Sequence, residues 1–383
     1  MSKTRSAILT GLLILTGQLV RAGSATWNLN PISGDWNTAD NWNPNTVPNG
    51  PSDIASFETS NQTNISLSAA TEVDSILFQA DAVPFTVTVP ASFELTLSGA
   101  GIQNDSFATQ TFVQAAAFGT LTFRNAASAG QTTTFIQKAA EGRDSEAGLV
   151  QFFDTSTAGS GVFISAGAQN RDFASGSISF FDNATAADAQ FTNKGSITFD
   201  DLSDAGNAVF ENIPRDKSTS DGGRVTFTAN SSAANATFVN DGGNAKTLTY
   251  GSVWFRDSST ADHASIICEP AGGSSFSVGE TIFWDHSTAA SASLTIKGGD
   301  VDDTYGGLVQ FLNGATAGNA IFVVTSGTGG LGGRVEFWDS SSGGTSQIIL
   351  EGSGATTDPT LFFTHNVVIG SLAGQGFVAG LSS

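Results

Sequence analysis

The chain is predicted to fold as an all-β protein, a parallel β-helix (β-solenoid) of about nine coils of ~28 residues with irregular coils at both ends. Three observations predict it. The first is a repeat: glycines at 119, 148, 176, 195, 223, 251, 279, 307 and 333, spaced by 29, 28, 19, 28, 28, 28, 28 and 26 residues, each followed four residues later by phenylalanine. A fixed period of this size marks a solenoid or another repeat array. The second is period-two alternation: in Gly148-Leu-Val-Gln-Phe152, Val150 and Phe152 point one way and Leu149 and Gln151 the other, as in a strand. The third is composition. No unit offers a ten-residue amphipathic helix, and Leu, Glu, Lys and Met are scarce.

A single unit cannot bury its aromatics alone. Stacking units at about 4.8 Å places Phe123, Phe152, Phe180, Phe199, Phe227, Phe255, Phe283, Phe311 and Phe337 in one internal column. A second column holds Phe135, Phe163, Phe191, Phe210, Phe238, Ile266, Leu294, Phe322 and Ile348. Each buried Phe contributes roughly 1.5–3 kcal/mol. Parallel crossovers are right-handed, and the same hand is expected of this coil. The 19-residue spacing after Gly176 reads as a coil lacking its third side.

Taken in order, residues 1–22 have the pattern of a secretory signal peptide: basic Lys3 and Arg5, apolar Ala7 to Val20, and small residues up to Ala22. The apolar run is short for a membrane span. Residues 23–57 hold Trp27, Trp36 and Trp42 with Pro31, Pro44, Pro48 and Pro51, and are expected to cap the first rung, since an open β edge invites aggregation. A sugar-binding aromatic platform is the alternative. Residues 58–118 alternate strictly at Ser75–Phe78, Phe85–Val89 and Phe93–Leu97, and read as irregular first coils. Residues 119–350 are the nine-repeat solenoid, and 351–383 the last coils.

The formal net charge is −20, with only 13% charged residues. Loss of Lys3, Arg5 and Arg21 with the leader would take it to −23. Without a basic patch the chain is not expected to bind nucleic acid. The single Cys268 permits no intrachain disulfide and fits a small core position.

Several patterns are candidates for chemistry. Six residues after the glycines stand Asn125, Asp154, Asp182, Asp201, Ala229, Asp257, Asp285, Asn313 and Asp339. Often the run continues with Thr-Ala, as in Asp154-Thr-Ser-Thr-Ala158. Such a column suits Asx-type turns; the alternative is a row of calcium sites, which need several converging oxygens. The only other calcium candidates are Asp300, Asp302 and Asp303, in one loop without EF-hand spacing. Five residues after the glycines, Phe153, Phe181, Trp284 and Trp338 form an intermittent stripe that either faces outward to a glycan or another protein or, where the strand bulges, turns its rings inward or onto the corner. The Ser-Thr-Ala triplets lack the alternate threonines of a flat ice-binding array, because adjacent hydroxyls face different ways.

Catalysis finds little support. His263, His286 and His365 occupy unrelated repeat positions, and no nucleophile elbow or metal-ligand spacing is present. Arg171-Asp172 and Arg215-Asp-Lys217 are the notable mixed-charge loops. No polar cluster stands out as breaking the repeat on one face, which a carbohydrate-active β-helix would need.

The stretch Trp36-Asn-Thr-Ala-Asp-Asn-Trp42, followed by Val47-Pro-Asn49 and by Gly/Ala/Asn-rich repeats carrying Phe and Ser-Thr-Ala, resembles bacterial autotransporter-associated β-strand repeat proteins. The resemblance covers most of residues 24–383. It implies a β-helical, secreted or cell-surface protein; it says little about activity, and amphipathic strands for an outer-membrane barrel are not seen before Ser383. The expectation is a secreted, extracellular or cell-surface, non-catalytic solenoid with a structural, adhesive or matrix role and no cofactor. Its expected partners are surface glycans or proteins, and end-to-end self-association is open to it. A glycan-binding or lyase-like β-helix is the alternative.

Overall fold

A computed structural model describes residues 23–170, 172–215, 222–244, 249–273 and 277–380. The leader-like stretch 1–22 lies outside the described residues. The chain is a parallel β-solenoid of about 13 turns of about 26 residues. One sheet has 16 strands (sheet A) and the other 13 (sheet B), and the chain alternates between them along the repeat. Ladders between turns are parallel; among the described residues only Ala25–Trp27 and Trp42–Asn43 pair antiparallel. The one helical element among the described residues is the 3-10 turn Ala39–Asn41.

The core follows from the alternation. In the nine units every sheet-A phenylalanine from Phe123 to Phe337 is fully buried. Consecutive rings in that column lie 4.6–5.0 Å apart and within 10° of parallel. The sheet-B column stacks likewise from Phe135 to Phe238 at 4.5–5.0 Å. The two columns meet edge to face, as Phe199 and Phe210 do at 6.0 Å and 79°. Stacking within columns and edge contacts between them suit the aromatic quadrupole.

Between the sheets each regular turn makes a corner with two left-handed residues. The first is the Asx position: Asp154, Asp182, Asp201, Asp257 and Asp285 have φ of 54–60°, which Asp and Asn tolerate better than other non-glycine residues. Five residues on comes the second, as at Gly159 and Gly206. Between them a third, one-residue ladder runs through Ser128, Thr157, Thr185, Asp204, Ser232, Thr260, Thr288, Thr316 and Ser342. The triplet Ser-Thr-Ala is thereby explained. Ser259 is buried and donates to the carbonyls of Phe227 and Arg256, Thr260 accepts the N–H of left-handed Asp262, and Ala261 fills the core.

The opening glycines are required by close approach. A Cβ on Gly251 would lie 1.9 Å from the carbonyl oxygen of Asn212, which ends a sheet-B strand of an earlier turn. Only glycine lets the backbone pass there.

Two expectations need correction. Nine coils is too few, because residues before Gly119 and after Leu350 add turns to the same stack: Phe57 lies in register with Phe78, Leu97 with Phe123, and Phe337 with Phe363. These turns were read as irregular end coils, but their number was not legible because they lack the glycine–phenylalanine signature. Nor does the 19-residue unit lack a side of the coil. Its sheet-A strand Ser177–Phe180, its bridge at Thr185 and its sheet-B strand Gln190–Asn193 are all present. What it lacks is the connection from sheet B back to sheet A, reduced to Lys194-Gly195 before the next strand starts at Ser196.

Candidate functional site

The Asx column is structural, by a mechanism the sequence did not disclose. Five of the column's six carboxylates accept the backbone N–H of the equivalent residue one turn earlier; Asp285 instead accepts from Asn313 Nδ2 at 3.3 Å. Asp154 accepts from Asn125 at 2.8 Å, Asp182 from Asp154 at 2.9 Å, and Asp257 from Ala229 at 3.1 Å. The column therefore bonds turn to turn, rather than closing an Asx turn on its own Ser or Thr.

Asp300, Asp302 and Asp303 are exposed. Thr328 Oγ1 lies 3.5 Å from Asp300 Oδ1, and Asp303 is left-handed at φ 61°. Asp302 and Asp303 border one surface hollow and Asp300 another. Among the described residues no group of three or more His, Cys, Asp or Glu converges as a metal site would require.

The outward aromatics sit at the corner just after the sheet-A strands, half-buried. Phe153 stacks on Phe181 at 4.9 Å, with the Arg124 guanidinium 4.7 Å over Phe153. Trp338 packs on Phe362 and donates from Nε1 to Glu336 at 3.0 Å. Trp284 lies in the same column, but Asp200, Thr228 and Arg256 interrupt it, so the four do not form one continuous face. Trp254, two residues before Arg256 and outward on sheet A, is held between the guanidinium groups of Arg224 and Arg256 at 4.2 and 4.9 Å.

The three histidines occupy different positions of the repeat, His263 and His286 on neighbouring turns and His365 near the C-terminal end. His263 Nδ1 meets Asp262 at 2.7 Å on the surface, and His365 Nε2 lies 2.7 Å from the Ser341 carbonyl oxygen. Cys268 is buried, its Sγ 3.3 Å from Thr281 Oγ1, and burial pushes its thiol up to about 12, so it stays protonated. Arg171, Asp216 and Lys217 lie outside the described residues.

Two features escaped the sequence reading. One is a buried polar spine beside the sheet-B phenylalanines. Gln137 donates to Gln114 at 3.0 Å, Asn193 to Asn212 at 2.9 Å, and Asn212 to Asn240 at 2.8 Å. Asn240 in turn donates to the Glu280 carbonyl and to Thr281. The signal was there, two residues after the second aromatic, but its identity drifts through Ser165 to Cys268 and Ile296.

The other is a groove of about 510 Å³ on the outer face of sheet A, over the short turn. Its floor is the outward side chains Leu149, Ser177, Ser196 and Arg224, which are neighbours on four consecutive rungs. Phe118, Glu146 and Phe173 stand on one side and Arg215 on the other. The missing connection opens a gap in the row of loops flanking sheet A. The clue was the spacing of 19 itself.

Comparison of the chain with protein-family models, with curated proteins and with solved structures finds no match in any of the three.

Proposed function

We propose that this chain is a secreted, non-catalytic rod with a structural, adhesive or matrix role at the cell exterior. The observation that carries the reading is where its reactive-looking side chains are spent. Asx carboxylates hold neighbouring turns, Ser156 and Ser259 of the triplets donate to core carbonyls, and the lone thiol is buried and protonated. Such a chain invests its polar chemistry in stiffness along the stack. At about 4.8 Å per rung, 13 turns give a rod roughly 60 Å long. The signal-like N-terminus and the resemblance to autotransporter-associated repeat proteins support a location outside the cytoplasm. Fold alone grants no activity.

The test has two parts. Expressed with its own N-terminus in a Gram-negative host, the protein is expected outside the cytoplasm with its N-terminus trimmed after Ala22. Retention in the cytoplasm untrimmed would contradict the location. Incubated with uronic-acid polymers, it is expected to release no unsaturated product; turnover of any of them would sink the non-catalytic reading.

A further inference from the structure

We propose that the groove over the short turn is a binding site for an acidic oligosaccharide, a chain of sugar rings bearing carboxylate or sulfate groups. The proposal needs only the groove; it does not depend on where the protein is located or on its having a structural role.

The site exists because one connection is missing. In the neighbouring turns eleven residues link sheet B to the next sheet-A strand, as between Gln137 and Leu149 or Asn240 and Ser252, while the links are four or five residues before Thr120 and eight after Thr325. These loops bond to one another along the stack: the Ala140 N–H donates to the Ala174 carbonyl, and the Gly222 N–H to that of Tyr250. Between the two groups of loops, Lys194-Gly195 leaves the sheet face uncovered. Four rungs of floor span about 14 Å, and the volume falls in the range of small-molecule sites.

The lining matches the ligand class. Phe118 is 54% exposed, in a chain that buries most of its phenylalanines, and with half-buried Phe173 it gives ring faces for the apolar side of a sugar. Ser177 and Ser196 put hydroxyls on the floor. Arg215 and Arg224 then select for negative charge, on a protein whose net charge of −20 repels anions elsewhere. Both arginines are held in place. The Arg215 backbone N–H donates to buried Thr249 at 2.8 Å and its Nε to the Lys194 carbonyl at 3.2 Å, and the Arg224 guanidinium lies 4.2 Å over the Trp254 ring. Such preorganisation lowers the entropic cost of binding. Glu146 at the rim means that charge alone does not make the site. A peptide fits less well. It would draw its affinity from main-chain bonds to a free strand edge, whereas Ser177–Phe180 and Ser196–Phe199 are paired on both sides.

Calorimetric titration of the full chain decides it, with four probes: a linear galacturonate hexamer, the same hexamer with its carboxyls reduced, that reduced hexamer sulfated, and hexaglutamate. The galacturonate or the sulfated hexamer, or both, should bind; which of the two binds identifies the anionic group. The reduced hexamer should bind about tenfold or more weakly, as for loss of charge-assisted bonds, and hexaglutamate should not bind. Arg224→Gln should cost about tenfold, and Ser196→Trp, an outward change that fills the groove without entering the core, should abolish binding while the melting temperature holds. Arg334→Gln, several rungs away, should change nothing. Failure of both charged hexamers to bind, equal binding of hexaglutamate, or binding unchanged in Ser196→Trp would overturn the proposal.

Discussion

The two ends of the rod are built differently. At the N-terminal end Trp27, Trp36 and Trp42 are fully buried and converge on Phe57, with ring centroids 5.5–6.2 Å from it. Each indole N–H is satisfied: Trp27 by the Gln62 carbonyl, Trp36 by that of Pro48, Trp42 by that of Trp36. At the other end the strands Ser371–Gln375 and Phe377–Gly380 are exposed throughout, and Phe377 and Val378 are half in solvent. From Pro359 to Ser383 there is no Asp, Glu, Lys or Arg. Stacked apolar side chains run along the whole stack, and among the described residues the first rung is covered while the strands at 371–380 are not. The difference shows what a solenoid needs beyond its repeat: a terminal element that buries the last ring without offering a strand edge.

The largest expected effect comes from removing the covered end. Deleting residues 24–57 exposes the rung at Ile76 and Phe78 with its unpaired N–H and C=O groups, each costing on the order of 1 kcal/mol. The truncated chain should aggregate or polymerise end to end in sedimentation velocity. A truncated chain that stays monomeric and equally stable, yet loses glycan binding, would mean that the tryptophans are a platform and not a lid.

Next comes the core itself. Phe227→Ala removes a ring stacked between Phe199 and Phe255 and should cost about 3–5 kcal/mol in denaturant unfolding. Phe377→Ala at the open end should cost less than about 1 kcal/mol. Equal effects would erase the distinction between middle and end.

The polar spine belongs to the middle alone. Asn212→Ala leaves the donor of Asn193 and the acceptor of Asn240 buried without partners, at a cost of about 1–3 kcal/mol. A melt matching wild type would show that water or a rotamer change replaces the bonds.

The smallest effect is expected at the open end and depends on pH. Asp358 accepts the N–H of Ser353 at 2.7 Å, which lowers its carboxyl pKa, helped by Gly354 and Ser326. A lowered pKa stabilises above the ordinary carboxylate range and is lost as pH falls through the lowered value. Limited proteolysis at acid pH should therefore open the segment around Ser353 first, and Asp358→Asn should remove that pH dependence. Cleavage that begins at Trp27–Phe57 would contradict this.

Much of the fold was legible because repetition made it so. Nine glycines each followed four residues later by phenylalanine define rung, register and inward face together. The turn at Asp154 was legible as a turn, but not its bond to Asn125, since residues 29 apart become neighbours only once the turn length is known. The spine was hidden by chemical drift from Gln114 to Cys268, because size and donor capacity matter there more than residue type. The groove was hidden for a different reason. It is made by residues that are missing, and its walls, Phe118 and Arg215, come from turns on either side of the gap.

Hydrogen exchange resolved turn by turn tests the central claim most directly, since protection tracks local opening. Exchange should be slow through the phenylalanine rungs, protection at Ala25–Trp27 and Gly50–Phe57 should approach that of the middle, and the fastest strand exchange should fall at Ser371–Gln375 and Phe377–Gly380. If residues 25–57 exchanged as fast as residues 371–380, the tryptophan cluster would not be closing the stack.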